Sequence, residues 1–174
     1  MKNIKLVIID VDGVLTDGAI YIDSEGRETK AFNVLDGTGI AYLHRSGIKT
    51  AIISGRMCSA VIHRAKELGI EDVYQGALNK IDAYKEILEK HALRDEEVCY
   101  IGDDLIDLPI FHRVGFPVAV ANASPIVKQQ SIYVTKTKGG SGAVREVAEK
   151  ILKFQDKWDF IMERYQKIRT KEGR

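Results

Sequence analysis

Residues 7–18, VIIDVDGVLTDG, hold the reading that decides the fold. A β-branched run stops on two aspartates, Asp10 and Asp12, with glycines and a threonine after them. The run has the composition of a strand buried on both faces, as in parallel sheets. Such a strand ends on carboxylates only where something at its tip needs negative charge, because an uncompensated buried charge is costly.

Outward from that stretch the same rhythm recurs. KLVII (5–9), KTAII (49–53), VCYI (98–101) and PVAV (117–120) are short apolar runs bounded by turn residues and predict buried strands. DVY (72–74) and IYVT (132–135) predict weaker strands at the sheet edges. Between them lie helical patterns. Asp36 is placed to cap a helix that carries Ile40 and Leu43 inward and closes at Gly47. A second helix runs from about Ser59 to Leu68 and stops at Gly69, and a third has Ile81, Tyr84, Ile87 and Leu88 on one face. Ser124-Pro125 is a cap followed by proline at the first helical position. The alternation predicts an α/β fold, a doubly wound and mostly parallel sheet with right-handed crossovers.

One segment breaks the rhythm. AIYIDSEGRETKAFNV (19–34) alternates around a polar, glycine-containing centre, which predicts a β-hairpin inserted after the first strand. It would stand over the C-terminal edge of the sheet. From Ala143 onward one long helical pattern carries Val147, Ile151, Phe154, Trp158, Ile161 and Tyr165, and the terminal RTKEGR reads as frayed.

The bulk numbers narrow the function. A chain of 174 residues suits one domain over 1–174 with a sizeable core. A net charge of +1 gives no electrostatic case for nucleic acid or an anionic membrane. No apolar run approaches the ~18 residues that span a bilayer. The N-terminal apolar run ends in aspartates rather than at a small-residue cleavage site, unlike a signal peptide. Cys58 and Cys99 make neither a disulfide framework nor a zinc pattern, and Cys99 reads as a core thiol. The expected location is the cytoplasm.

Open α/β sheets bind ligands beyond the C-terminal ends of their strands. After the first strand come Asp10 and Asp12; after the second, Ser54-Gly55-Arg56; after the fourth, Gly102-Asp103-Asp104, with Asp107 one turn later. Two carboxylates about 4 Å apart repel by about 4 kcal/mol at an effective dielectric of 20. A cluster of Asp10, Asp12 and Asp103 must therefore hold protons or a cation, and oxygen donors without histidine or cysteine point to Mg²⁺. Ser54 and the amides of its turn suit a phosphate, and Lys80, near the start of the third helix, adds a positive charge. With the phosphoryl oxygens neutralised, one aspartate can attack phosphorus while the other handles the proton. Read singly, a DxD is a turn, Ser54 an N-cap and Lys80 a surface lysine. Their shared position at one sheet edge is what favours chemistry.

In that order and spacing the residues are similar to a known family. DVDGVLTDG resembles the first motif of the haloacid dehalogenase-like phosphatases, Ser54 the second, Lys80 the third and GDDLIDLP (102–109) the fourth. The resemblance implies Asp10 as nucleophile and Asp12 as general acid/base. It places Mg²⁺ on Asp10, the Asp12 backbone carbonyl and Asp103, with Asp104 and Asp107 supporting. Ser54, Gly55 and Lys80 would orient the phosphate. A closer resemblance, over nearly the whole chain, rests on the hairpin, KAFNVLDGTGI (30–40), SGR (54–56), YQGALNK (74–80) and GGSGAVREV (139–147). These segments look like the 3-deoxy-D-manno-octulosonate 8-phosphate phosphatases, a capless branch. That implies a small-molecule phosphate ester as substrate and a homotetramer in which hairpins assemble and a neighbour covers the active site. Arg56 and Arg64 match arginines of that family and are substrate-binding candidates. Leu35 departs from it, since many members read FNVRDG where this chain has FNVLDG. The tail beyond Lys153 is also longer and more charged than the family pattern.

Rival readings differ in what they require. A phosphatase for another sugar-acid or small phosphate ester keeps the same residues. A receiver-like signalling domain needs an aspartate after the third strand, where this chain has Gln75-Gly76. A non-catalytic member would have dispensed with Asp10 or Asp12, and both are present.

Overall fold

The computed structural model describes residues 1 and 3–171, with 167–171 as backbone alone. In chain order the strands are β1 Leu6–Ile9, β2 Tyr21–Ile22, β3 Glu28–Thr29, β4 Lys49–Ile53, β5 Asp72–Tyr74, β6 Val98–Gly102, β7 Phe116–Ala119 and β8 Tyr133–Val134. The helices are α1 Val34–Arg45, α2 Ser59–Leu68, α3 Lys80–His91, α4 Leu108–Phe111, α5 Pro125–Gln129, α6 Ala143–Phe154 and α7 Trp158–Lys171.

Six strands form one sheet in the order β5-β4-β1-β6-β7-β8, and every pairing in it is parallel. β1 is paired on both sides, Leu6–Ile9 against Lys49–Ile52 and against Val98–Ile101. All four of its residues are fully buried, which is why the run lacks any polar alternation. The chain winds outward from β1 through β4 and β5 on one side and from β6 through β7 and β8 on the other. The order reverses between β1 and β6, so a crevice opens at their C-terminal ends. All six predicted strands are present, with β5 and β8 at the edges. Among the described residues no separate folded unit stands over the sheet, and no helix is long and apolar enough to cross a membrane.

Three local expectations change. The inserted hairpin is there, but its strands pair only at Tyr21–Thr29 and Ile22–Glu28. A two-stranded ribbon without a packed face has little to extend it.

The cap of α1 is Asn33, whose side chain accepts from the Leu35 amide, and not Asp36. Asp36 is buried in the first turn and caps a different helix. Its Oδ1 accepts from the Arg145 amide at 3.0 Å and its Oδ2 from the Gly142 amide at 3.3 Å, at the N-terminus of α6. Periodicity along one segment cannot show a cap donated across the fold.

The long C-terminal pattern is two helices. Gln155 leaves α6 to donate to the carbonyls of Met1 and Ile4, and Asp156 takes a positive φ of 56°. The break folds α7 back on α1, where Trp158 and Tyr165 meet the Tyr42 ring edge-on at 6.0 and 6.2 Å. Of the stretch read as frayed, residues 169–171 continue α7 and 172–174 lie outside the described residues.

Replacing Asp36 strands two amides at the start of α6. Asp36→Ala should lower unfolding stability by about 1–3 kcal/mol in urea titrations, with Asp36→Asn, which keeps an acceptor, losing less.

Candidate active site

β1 delivers Asp10 to the crevice with 5% of its surface exposed. The chain then closes a wide turn in which the Thr16 amide donates to the Val11 carbonyl at 3.0 Å. Gly13 sits in that turn at φ 88°, and a Cβ there would fall 2.1 Å from Asp103 Oδ2. Only glycine satisfies both the conformation and the approach of Asp103. Across the turn, Asn122 Nδ2 donates to the Gly13 carbonyl at 2.9 Å while its Oδ1 accepts from the Gly139 amide at 2.6 Å. A Cβ on Gly139 would lie 1.8 Å from that same carbonyl oxygen.

β6 ends on Gly102 and supplies the facing acids. Asp10, Asp103 and Asp107 each present a carboxylate oxygen, all within 4.8 Å of one another. Lys80, the first residue of α3, is buried among them. Its Nζ lies 2.8 Å from Asp10 Oδ1 and 2.7 Å from Asp107 Oδ1, and donates to the Tyr100 hydroxyl at 3.3 Å. Tyr100 in turn donates to Asp107 Oδ1 at 2.7 Å. The other Asp107 oxygen accepts from the amides of Asp103 and Asp104 at 2.9 and 3.2 Å. Asp107 thus fixes both Lys80 and the loop that carries Asp103.

One ammonium does not balance three carboxylates. Burial pushes Asp10 up to about 6 against the pull of Lys80, with the Asp107 charge adding to the rise. Burial, then the charges of Asp10 and Asp107, push Asp103 up to about 8. A site that holds protons this tightly, with only hard oxygen donors, fits Mg²⁺.

The expected site residues divide as follows. Asp10 and Asp103 come together as expected. Asp107, expected in a supporting place, stands inside the cluster. The Asp12 carboxylate does not join it, but pairs with the buried Lys30 of the hairpin base. Asp104 is exposed at the start of the following turn. Ser54, 2% exposed, directly follows β4 at the same sheet edge, with its Oγ accepting from the Arg56 amide at 3.3 Å, and Gly55 comes next. Arg56 reaches the hairpin and pairs with Glu28 at 2.9 Å. Arg64 pairs with Glu67 on its own helix at 2.8 Å and lies against Gly37 of α1, so it is not drawn into the acid cluster. Leu35 is half exposed and borders Gly142.

The sequence reading missed Tyr100 and Lys30. A hydroxyl inside the otherwise apolar VCYIG run was the available signal for the first. Lys30 lies in an alternating surface segment, and nothing local marks it.

An open parallel sheet with this motif order and an acid cluster at its switch point defines a haloacid dehalogenase-like phosphatase. Residues 69–147 match the haloacid dehalogenase-like hydrolase family. The 3-deoxy-D-manno-octulosonate 8-phosphate phosphatase of Escherichia coli K12 is 51% identical over 158 residues, covering 91% of this chain and 84% of that one. The crystal structure of the phosphatase of that name from Yersinia pestis superposes with a TM-score of 0.90 at 51% identity, covering 91% and 85% of the two chains. The one from Moraxella catarrhalis, solved with magnesium, phosphate and a KDO molecule, gives 0.92 at 46% identity and covers 94% of each. The chain belongs to the 3-deoxy-D-manno-octulosonate 8-phosphate phosphatase family of haloacid dehalogenase-like hydrolases, and it is a phosphatase.

The raised carboxyls carry a pH signature. Between the ordinary 3.8 and about 8, the folded metal-free protein holds more protons at Asp10 and Asp103 than the unfolded chain. Their contribution to stability is therefore present at low pH and is lost as pH rises through that window. Thermal melts in chelator should show this decline, and Asp103→Asn should flatten it. Millimolar Mg²⁺, which binds the ionised cluster, should raise the midpoint most near pH 8.

Proposed function

We propose that the protein hydrolyses 3-deoxy-D-manno-octulosonate 8-phosphate to the free sugar acid and phosphate, through a phosphoryl group carried on Asp10. The observation that carries this reading is the Asp10–Lys80–Asp107–Asp103 cluster at the β1/β6 switch point, in a chain half identical to phosphatases named for that substrate. Asp10, the Asp12 carbonyl and Asp103 would hold Mg²⁺, with Asp107 closing the charge balance behind them. When bound, the ion neutralises phosphoryl oxygens and so lets an anionic nucleophile approach phosphorus.

The chain's own residues then divide the work. The Ser54 hydroxyl, the amide of Gly55 and Lys80 orient the phosphate. An Asp10 oxygen attacks phosphorus, and Asp12 gives its proton to the departing alkoxide as the P–O bond breaks. In the second half Asp12 takes a proton from water, whose oxygen displaces Asp10 and releases phosphate. Asp104 supports the loop of Asp103. Arg56 is half exposed beside the hairpin, where a sugar-acid carboxylate could compete with Glu28 for it.

The assembly belongs to the same proposal. Ile20 and Ile22 on the hairpin are 52% and 64% exposed, and Met57 and Leu78 are 76% and 80% exposed. A homotetramer that buries such residues around each crevice would also exclude water from it.

A second reading keeps the chemistry and changes the ester. Leu35 replaces a guanidinium expected near the pocket mouth, which favours a related sugar-acid phosphate or a broader range. The test is Mg²⁺-dependent phosphate release from 3-deoxy-D-manno-octulosonate 8-phosphate beside a panel of sugar and sugar-acid phosphates. The expected result is the highest kcat/KM on the octulosonate, falling to background in Asp10→Asn. A higher kcat/KM on another ester would transfer the assignment to it, and Leu35→Arg would then shift the ranking back.

A further inference from the structure

The hairpin is tied to the body of the protein chiefly by charge. Tyr21, Ile22 and Thr29 are exposed. The ties are the Tyr21 hydroxyl donating to Asp17 at 2.9 Å, Arg56 pairing with Glu28 at 2.9 Å, and Lys30 pairing with Asp12. Of these, Lys30 is the one that enters the interior, with its side chain 2% exposed. Its Nζ donates to Asp12 Oδ1 and lies 2.8 Å from Glu28 Oε1. The second approach is a contact of charges rather than an aligned hydrogen bond.

A buried ammonium between two carboxylates is an expensive structure, and none of its members touches the Asp10–Asp103–Asp107 cluster through a bond of its own. What it does is join two parts of the chain. Asp12 stands on the turn after β1, Glu28 stands on the returning strand of the hairpin and Lys30 directly follows that strand. An aspartate 25% exposed at a crevice mouth has several open rotamers, and proton transfer to a leaving oxygen needs one of them held. The same bridge continues through Glu28 to Arg56.

We propose that Lys30 is a positioning residue for Asp12. From the hairpin, its ammonium holds Asp12 Oδ1, so that the other carboxyl oxygen faces the leaving group and carries the proton. Docking of the hairpin and readiness of the acid are then one event. The proton passes from Asp12 to the ester oxygen as the P–O bond breaks, and Lys30 keeps its own protons throughout. The inference rests on the reading of Asp12 as the group that protonates the leaving oxygen.

The discriminating experiment varies the leaving group. The Mg²⁺-loaded full chain is given an alkyl phosphate, whose alkoxide needs a proton, or p-nitrophenyl phosphate, whose phenolate leaves without one, and release of the leaving group is read in a single turnover, ahead of the hydrolysis of phospho-Asp10 in which Asp12 serves both esters alike. Asp12→Ala sets the reference, with an expected loss of about 10²–10⁴-fold on the alkyl ester and far less on the aryl ester. Lys30→Met should show the same split, with the single-turnover rate on the alkyl ester falling about 10²-fold and the half-saturating ester concentration little changed. Lys30→Arg, which keeps the charge, should restore most of that rate. If Lys30→Met does not fold, Glu28→Gln loosens Lys30 from one side and should give the split at smaller size. Equal losses on both esters, or none, would overturn the positioning role. An Asp12→Ala variant without leaving-group dependence would instead sink the general-acid reading itself.

Discussion

Lys80 is a single cation set among three carboxylates, Asp10 and Asp107 buried and Asp103 half-buried, and the arrangement of the crevice follows from that imbalance. The ammonium is delivered by the first residue of α3, and Asp107 holds it in place while accepting from two amides of the β6 loop. Truncating either side would leave an unpaired charge in the interior, which is why the cluster behaves as one unit. A bound divalent cation removes the remaining negative excess. The fold supplies the rest by bringing β1 and β6 side by side at the point where the winding reverses.

Much of this was legible because the relevant signals are local. A fully buried parallel strand has no polar face, so LVII, TAII and CYI stand out as unbroken apolar runs. Ligand residues in such sheets fall directly after strand ends, so position alone placed Asp10, Ser54 and Asp103 at one sheet edge. Gly69 marked the end of α2 in the left-handed conformation that glycine favours.

The parts that were not legible depend on contacts between distant segments. Asp36 looks like an ordinary cap on its own segment, and only the packing of α1 against α6 shows that it serves the other helix. The break between α6 and α7 is set by Gln155 reaching the N-terminal carbonyls and by aromatic contacts with Tyr42, none of which alters the hydrophobic periodicity. Lys30 has the local context of a surface residue and is buried by its partners. Tyr100 was hidden in the opposite way, inside a run whose apolar character concealed a hydroxyl aimed at Asp107.

The interlock between the Gly13 turn and the Gly139 loop bears on how such a protein can change over generations. Backbone meets backbone there and Asn122 bridges the two sides; a methyl on Gly139 would strike the Gly13 carbonyl, and one on Gly13 would strike Asp103. Gly13 and Gly139 are thereby closed to substitution. Leu35, half exposed, and the exposed hairpin residues carry no such restriction. Drift in a lineage of these proteins is therefore channelled away from this packed turn and toward the exposed hairpin and the surface around Leu35.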